Sequence, residues 1–531
     1  MKFSAPLGDT VHGRFPCSKL KLDNLFLHWL SLQETQKLVL SLLDDAKNGR
    51  VGSYTPPSVP VPSSPLSPPS ATALFAISIP PLSPQKAQSP RSESSPTRPP
   101  SAAVLQKQSK DVAEIPQFFF PGGPRIPDMV QRDMQNKLDH CFASQPEGLT
   151  IPAVKDLIKE VFQLPTALAY PLFYKLAQPG ASTVTLHAVR SWIVQQSVMQ
   201  VEPVVRMFDI LRSAECNHVV QSDLKSMLAG ILLSHPGLEF LQDTPEFQDR
   251  YAETVILRIF YCLDRSGLGR ITLRDLKRGD LLHALMVLDK EDDVNKVLKY
   301  FSYEHFYVIY CKFWELDADH DFLICKEDLL RYGNHSLTYR IVDRIFSQAA
   351  RPFASKVEGK MGYEDFVYFI LSEEDKTNSI SLDYWFKCID LDCDGCLRAN
   401  EMLYFYEEQL HRMECLSQEP VLFEDVLCQM HDMVQPEAEG VFTLQDLKRQ
   451  KCLAGILFNI LFNLNKFIAF ETRDPFVVRQ EREDPTLTDW DRFARAEYVR
   501  LAMEEEGDFR GSDGGGGGGS EWIQQNLEGP F

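Results

Sequence analysis

A mainly α-helical fold, an elongated array of helix–loop–helix units, is predicted for the 531-residue chain by three observations. Two 12-residue stretches carry acids at alternate positions between amphipathic flanks of helical period. A third loop frame lies midway between them, so that the starts at Asp317, Ala354 and Asp390 are 37 and 36 residues apart, a spacing that suits repeated units. Helix-forming stretches separated by short polar turns dominate from about Met129 to Phe470. A disordered Pro/Ser-rich N-terminal linker and an acidic C-terminal tail are expected to flank this body.

Taken in chain order, residues 1–50 form the first segment. Leu22, Leu25, Phe26, Trp29 and Leu30 fall at helical spacing there. The first twenty residues lack the apolar run of a secretory signal. Residues 51–113 are expected to be disordered, because residues 51–100 hold 14 of the 34 prolines with many serines and few charges. Such a segment buries too little apolar surface to offset its ordering entropy. Ser64, Ser67, Ser83, Ser89 and Ser95 each precede Pro and are candidate proline-directed phosphorylation sites, although such neighbours also arise by chance in this composition. Phe118–Phe120 sit between prolines and suggest an extended segment that tacks onto the body or a partner. Residues 114–290 are expected to form a helical domain with degenerate units. Residues 291–375 and 376–470 each read as one loop pair, and 471–531 as a C-terminal arm ending in the flexible run Gly514–Gly519.

The loop chemistry is sharpest at residues 390–401, D-L-D-C-D-G-C-L-R-A-N-E. Asp390, Asp392 and Asp394 occupy positions 1, 3 and 5, Gly395 makes the turn at position 6, and the Cys396 carbonyl serves position 7. Leu397 faces the core at position 8, Arg398 leaves position 9 to water, and Glu401 chelates from position 12. This is the EF-hand pattern, which gathers hard oxygen donors around Ca2+. Cys393 and Cys396 also form a C-x-x-C, but no second pair has zinc spacing to it. Residues 317–328 repeat the frame with Asp317, Asp319, Asp321, the Leu323 carbonyl and Asp328. Phe322 replaces the turn glycine and Asp328 is one methylene shorter than Glu, so a weaker site is expected there. Residues 264–275 keep Asp264, Ser266, Gly269, Ile271 and Asp275, but Leu268 removes a ligand, and a structural turn is expected.

EF-hand loops normally pair, since each short loop strand needs a partner for its backbone groups. The loop at 317–328 is therefore expected to pair with 354–365, and 390–401 with 435–446. In the upstream frame ending at Asp223, Asn217 is expected to take the left-handed turn. The stretch 183–189 echoes 271–276 and 442–447.

Formal charge is −19 with a pI near 5.2. That balance disfavours nucleic acid as a partner and suits divalent cations. No run of about 18 apolar residues occurs, so no membrane span is expected. Twelve scattered cysteines fit reduced thiols in the cytoplasm and/or nucleus. Two strings, Gly8–Gly13 and Gly333–Ser336, resemble metallophosphatase blocks, but the first has one residue too many and the third block is absent. No catalytic motif set is complete, and a non-enzyme is expected.

Beyond generic EF-hand chemistry, Ser302–Asp321 (SYEHFYVIYCKFWELDADHD) resembles the B-double-prime class of regulatory subunits of protein phosphatase 2A. So do His235–Leu238, Leu371–Lys376, Tyr404–Gln409, Thr443–Arg449, Asp474–Phe476 and Asp489–Phe493. The resemblance covers roughly residues 115–500. It implies a non-catalytic calcium-binding subunit that joins the phosphatase scaffold and catalytic subunits and directs them to phosphoprotein substrates. The runner-up is an EF-hand calcium sensor or adaptor unrelated to phosphatases. Phe118–Phe120 and the aromatic helix Tyr303–Trp314 are the candidate docking surfaces, the latter more readily read as core.

Overall fold

The computed structural model describes residues 126–416, 421–472 and 486–511, with a few positions between 32 and 44. The proline-rich segment, Phe118–Phe120, Asp474–Phe476, the glycine run and most of the first helical stretch lie outside these residues. Among the described residues no helix is long and apolar enough to cross a membrane.

Four successive helix–loop–helix pairs make up the body. In the first, α1 (Asp128–Ser144), α2 (Ile151–Asp156), α3 (Ala169–Leu176) and α4 (Leu186–Gln195) are joined where Leu149 and Val184 exchange both backbone hydrogen bonds, each at 2.9 Å. The second comprises α5 (Pro203–Leu211), β1 (His218–Val219), α6 (Gln221–Ser234), α7 (Pro245–Leu263), β2 (Ile271–Thr272) and α8 (Leu273–Arg278). Here Val219 pairs antiparallel with Ile271, and α9 (Leu281–Leu288) follows. The third comprises α10 (Tyr303–Leu316), β3 (Leu323–Ile324), α11 (Lys326–Leu329), α12 (Tyr339–Phe346), β4 (Met361–Gly362) and α13 (Tyr363–Glu374), with Ile324 opposite Met361. The fourth comprises α14 (Ser379–Ile389), β5 (Cys396–Arg398), α15 (Ala399–Cys415), α16 (Phe423–Val434), β6 (Val441–Thr443) and α17 (Leu444–Arg449), with Leu397 opposite Phe442. Each acidic loop thus pairs with the degenerate neighbour expected of it, because the register sets their position-8 apolar residues side by side in the core.

Two apolar cores carry these pairs, and α7 contributes to both. Its Val255, Ile259 and Phe260 join the N-terminal core, while Leu257 and Tyr261 join the C-terminal one. One helix with two buried faces therefore ties the halves together. After α18 (Lys451–Phe462) and α19 (Leu464–Thr472), the helix α20 (Asp489–Gly511) packs back against α10. Trp490 is buried, and its ring meets that of His305 at 5.6 Å. Lys312 pairs with Glu497 at 2.6 Å, and Arg500 reaches Glu315 at 3.0 Å. Within the expected C-terminal arm, the segment that begins at Asp489 is therefore a docked helix.

One expectation is corrected. Asn217 is not among the residues with positive φ. That loop turns through Cys216 N–H donating to the Ser213 carbonyl at 3.1 Å and is held by Arg212, which donates to the Cys216 carbonyl. As its sequence already favoured, the aromatic helix α10 is core rather than a free docking surface: His305, Phe306, Val308, Ile309 and Phe313 are buried, and α20 covers part of the remainder.

Candidate metal centres

Both acidic loops begin where an apolar helix ends. Asn378 caps α14 by accepting from the amides of Ile380 and Ser381, each at 2.9 Å, and the helix runs to Ile389. Asp390 then turns its carboxylate inward. Its Oδ2 accepts from the Gly395 amide at 2.9 Å, across a turn that Gly395 closes at φ 80°. The same position-1 to position-6 bond recurs at Asp317 with Phe322 (2.9 Å) and at Asp264 with Gly269 (2.7 Å). It is a property of the turn, not of a metal.

The position-12 acid also has a general task. Its side chain accepts from the position-9 amide at Asp223, Asp275, Asp328, Asp365, Glu401 and Asp446, at 2.9–3.2 Å. That residue is the third of the exit helix, so its carboxylate caps an otherwise orphaned helix donor. In the degenerate loops the acid makes the same cap.

What separates the two acidic loops is the use of the remaining oxygens. Carboxylate oxygens of Asp390, Asp392 and Glu401 lie within 4.8 Å of one another, as do those of Asp317, Asp319 and Asp321. Asp390 Oδ1 is buried with no hydrogen-bond partner, and Glu401 is also buried. An orphaned carboxylate oxygen facing two further carboxylates fits a bound hard cation, since an uncompensated buried charge is costly. The Cys393 and Cys396 thiols are not part of the cluster, which leaves an all-oxygen donor set. Asp317 is fully buried; burial, then the nearby Asp319 and Asp321, push its carboxyl above the ordinary range. By contrast, Asp264 satisfies its second oxygen with Ser266 at 2.8 Å, which leaves the 264–275 loop a turn.

Two sequence-selected acids stand apart from the clusters. Asp394 Oδ2 is paired with Arg398 at 2.5 Å, which holds its carboxyl below the ordinary range. Asp328 Oδ1 accepts from Arg331 at 2.7 Å. The carbonyl-bearing residues Cys396 and Leu323 lie in the paired strands β5 and β3. Phe322 occupies the left-handed region at φ 61°, as its place in the frame demands.

Three features were missed in the sequence. Lys360, from the paired degenerate loop, reaches Asp321. The docking of Trp490 on His305 joins residues 185 apart. Glu373, a buried acid within the Leu371–Lys376 run, binds Lys376 (2.6 Å), Lys466 (3.0 Å) and Asn463 (2.7 Å). Burial opposes its charge, yet the two lysines hold its carboxyl below the ordinary range. Only the three consecutive acids Glu373–Asp375, followed by Lys376, hinted at that cluster.

Paired helix–loop–helix units with oxygen-rich turns define an EF-hand protein. Residues 202–291 match the EF-hand domain family, and residues 306–407 match an EF-hand domain pair. The chain is 51% identical over 517 residues to the probable B''epsilon regulatory subunit of serine/threonine protein phosphatase 2A from Arabidopsis thaliana, covering 97% of this chain and 94% of that one. It is 38% identical over 514 residues to the human B'' beta regulatory subunit of serine/threonine-protein phosphatase 2A, covering 92% and 88%. A solved chain from a PP2A PR70 holoenzyme shares 48% identity at a TM-score of 0.47, covering 50% of this chain and 98% of that chain. The chain belongs to the B'' family of protein phosphatase 2A regulatory subunits.

Proposed function

We propose that this chain is a non-catalytic, calcium-binding regulatory subunit that docks on the scaffold and catalytic subunits of protein phosphatase 2A and directs them to phosphoprotein substrates. The observation that carries the reading is similarity over nearly the whole length of relatives named as such subunits. It removes the alternative of a sensor unrelated to phosphatases. Cysteines outside any disulfide, spread through the described residues, support a reducing compartment, cytoplasmic and/or nuclear.

Calcium would be held at the stronger site by Asp390, Asp392, Asp394, the Cys396 carbonyl and Glu401, and at the weaker by Asp317, Asp319, Asp321, the Leu323 carbonyl and Asp328. The ion would supply a positive centre that neutralises each carboxylate ring. The chain's own part is mechanical. Asp390 ends α14 and Glu401 rides on the first turn of α15, so closing the ring fixes the angle between those helices. The α14 helix packs against α17 and α18, and α15 against α18, so that angle sets how the C-terminal pair is presented. Asp394 must leave Arg398, and Asp328 must leave Arg331, to join their rings.

Calorimetric titration of the full chain with calcium tests the metal part, with two sites of unequal affinity expected and the stronger lost in Glu401→Gln. Capture of the purified scaffold–catalytic core by the chain tests the docking part. Absence of capture both with calcium and with chelator would refute the phosphatase-docking reading for this chain.

A further inference from the structure

The two acidic loops differ in where their counter-cation comes from. In 390–401, Arg398 of the same loop pairs with Asp394. In 317–328, position 9 is Cys325, and the cation arrives from outside: Lys360 Nζ of the paired loop makes a short ion pair with Asp321 Oδ2. The strand register explains the reach. Leu323 lies opposite Gly362 and Ile324 opposite Met361, which sets residue 360 beside the end of the acidic loop's strand. In the fourth pair the equivalent position of the degenerate loop is Val441, which has no charge to offer.

Asp321 is the position-5 acid of a ring whose other members are Asp317, fully buried, and Asp319. The other Asp321 oxygen, Oδ1, is engaged by the Leu323 amide at 2.8 Å. Lys360 therefore holds the oxygen that a metal at this ring would need, and it sits about one-third exposed, free to swing away along its own stem.

We propose that Lys360 is the resident counter-cation of the 317–328 loop, so that calcium entering this loop displaces the Lys360 ammonium from Asp321 and binds more weakly for it. The inference rests on the calcium reading of this loop. Lys360 neutralises the ring when calcium is scarce, and its departure is part of the binding equilibrium. Phe322 and Asp328 are thus not the sole origin of the lower affinity.

The test is calcium titration by calorimetry on the full chain carrying Glu401→Gln, so that only the 317–328 loop is read. Lys360→Gln is expected to tighten binding roughly three- to tenfold. Lys360→Arg, which keeps the charge, should leave affinity within about twofold of the parent. Lys356→Gln removes the same charge from the same degenerate loop, and Lys356 makes no ion pair with Asp321 among the described residues. It should also change affinity by less than about twofold, because exposed charges at a distance are screened. Equal affinity in the parent and Lys360→Gln, or equal tightening by Lys356→Gln, would overturn the role of Lys360 while leaving the site intact. No calcium binding in any variant would refute the calcium reading of this loop, and the inference with it.

Discussion

Replacing Phe322 separates backbone strain from side-chain packing in a single loop. Phe322 holds φ 61°, where a bulky residue costs about 1–2 kcal/mol. Its ring lies 5.5 Å from Phe313 and 6.4 Å from Trp314, and the Arg250 guanidinium of α7 covers it at 4.2 Å. Aromatic pairs contribute about 0.5–1.5 kcal/mol each, and the cation–π contact about 0.5–1. The ring contacts thus offset the strain and link this loop to α7, a helix that contributes to both cores. Phe322→Ala keeps the strain and loses every ring contact, an expected cost of about 2–3 kcal/mol. Phe322→Gly loses the same contacts but relieves the strain, less about 0.5–1 kcal/mol for the greater freedom of glycine in the unfolded chain. Glycine should therefore be the milder substitution, by about 0.5–1 kcal/mol, the reverse of the order expected in a helix. Urea unfolding of the full-length variants in chelator measures both changes. An alanine variant as stable as the glycine variant, or more so, would refute the strain argument. Wild-type stability in either variant would refute the packing argument.

Other consequences are open to the same kind of measurement. Glu373→Gln should cost about 3–5 kcal/mol in urea unfolding, because Lys376 and Lys466 then lose their shared buried partner; a loss below about 1 kcal/mol would show that the cluster is not a unit. His305 is held well below its ordinary pKa by burial and by Arg258, with Trp490, Asp491 and Arg495 also facing it. Its stabilising contribution is complete above the unfolded value near 6.5 and declines as pH falls below it, because the unfolded chain then takes up a proton that the fold refuses. The unfolding free energy of wild type should lose up to about 1.4 kcal/mol per pH unit between pH 6.5 and 5 relative to His305→Gln. Parallel pH profiles would contradict this.

The loops were legible because their constraints are local and strict. A left-handed turn at Gly359, Gly395 or Gly440, an apolar residue two positions on and an acid at position 12 can each be read within twelve residues. The same locality caused one error. Asn217 occupies the turn position of its frame, yet Arg212 supplies another way round. The string Gly333–Ser336, a chance resemblance in the sequence, is a turn in which Gly333, Asn334 and His335 all have positive φ. It is anchored by Leu464 N–H donating to the Ser336 carbonyl at 2.9 Å and by Arg412 donating to the carbonyls of Ser336 (3.2 Å) and His335. In the sequence Glu401 and Asp328 read at position 12 as ligands alone, although they share with the other loops' acids the duty of capping the exit helix. Lys360 with Asp321, and Trp490 with His305, join residues 39 and 185 apart, and no spacing rule connects them.

Calcium control of docking is the central claim, and one comparison tests it most directly: affinity for the purified phosphatase 2A scaffold–catalytic core, measured for wild type and Glu401→Gln, each with calcium and with chelator. Closing the Asp390–Glu401 ring should shift wild-type affinity by about 5- to 150-fold, the usual range of coupling between sites. The Glu401→Gln chain should lose most of that response while still binding the core. A wild-type affinity identical with calcium and with chelator would contradict the account and leave the loops as structural elements of a calcium-independent regulator.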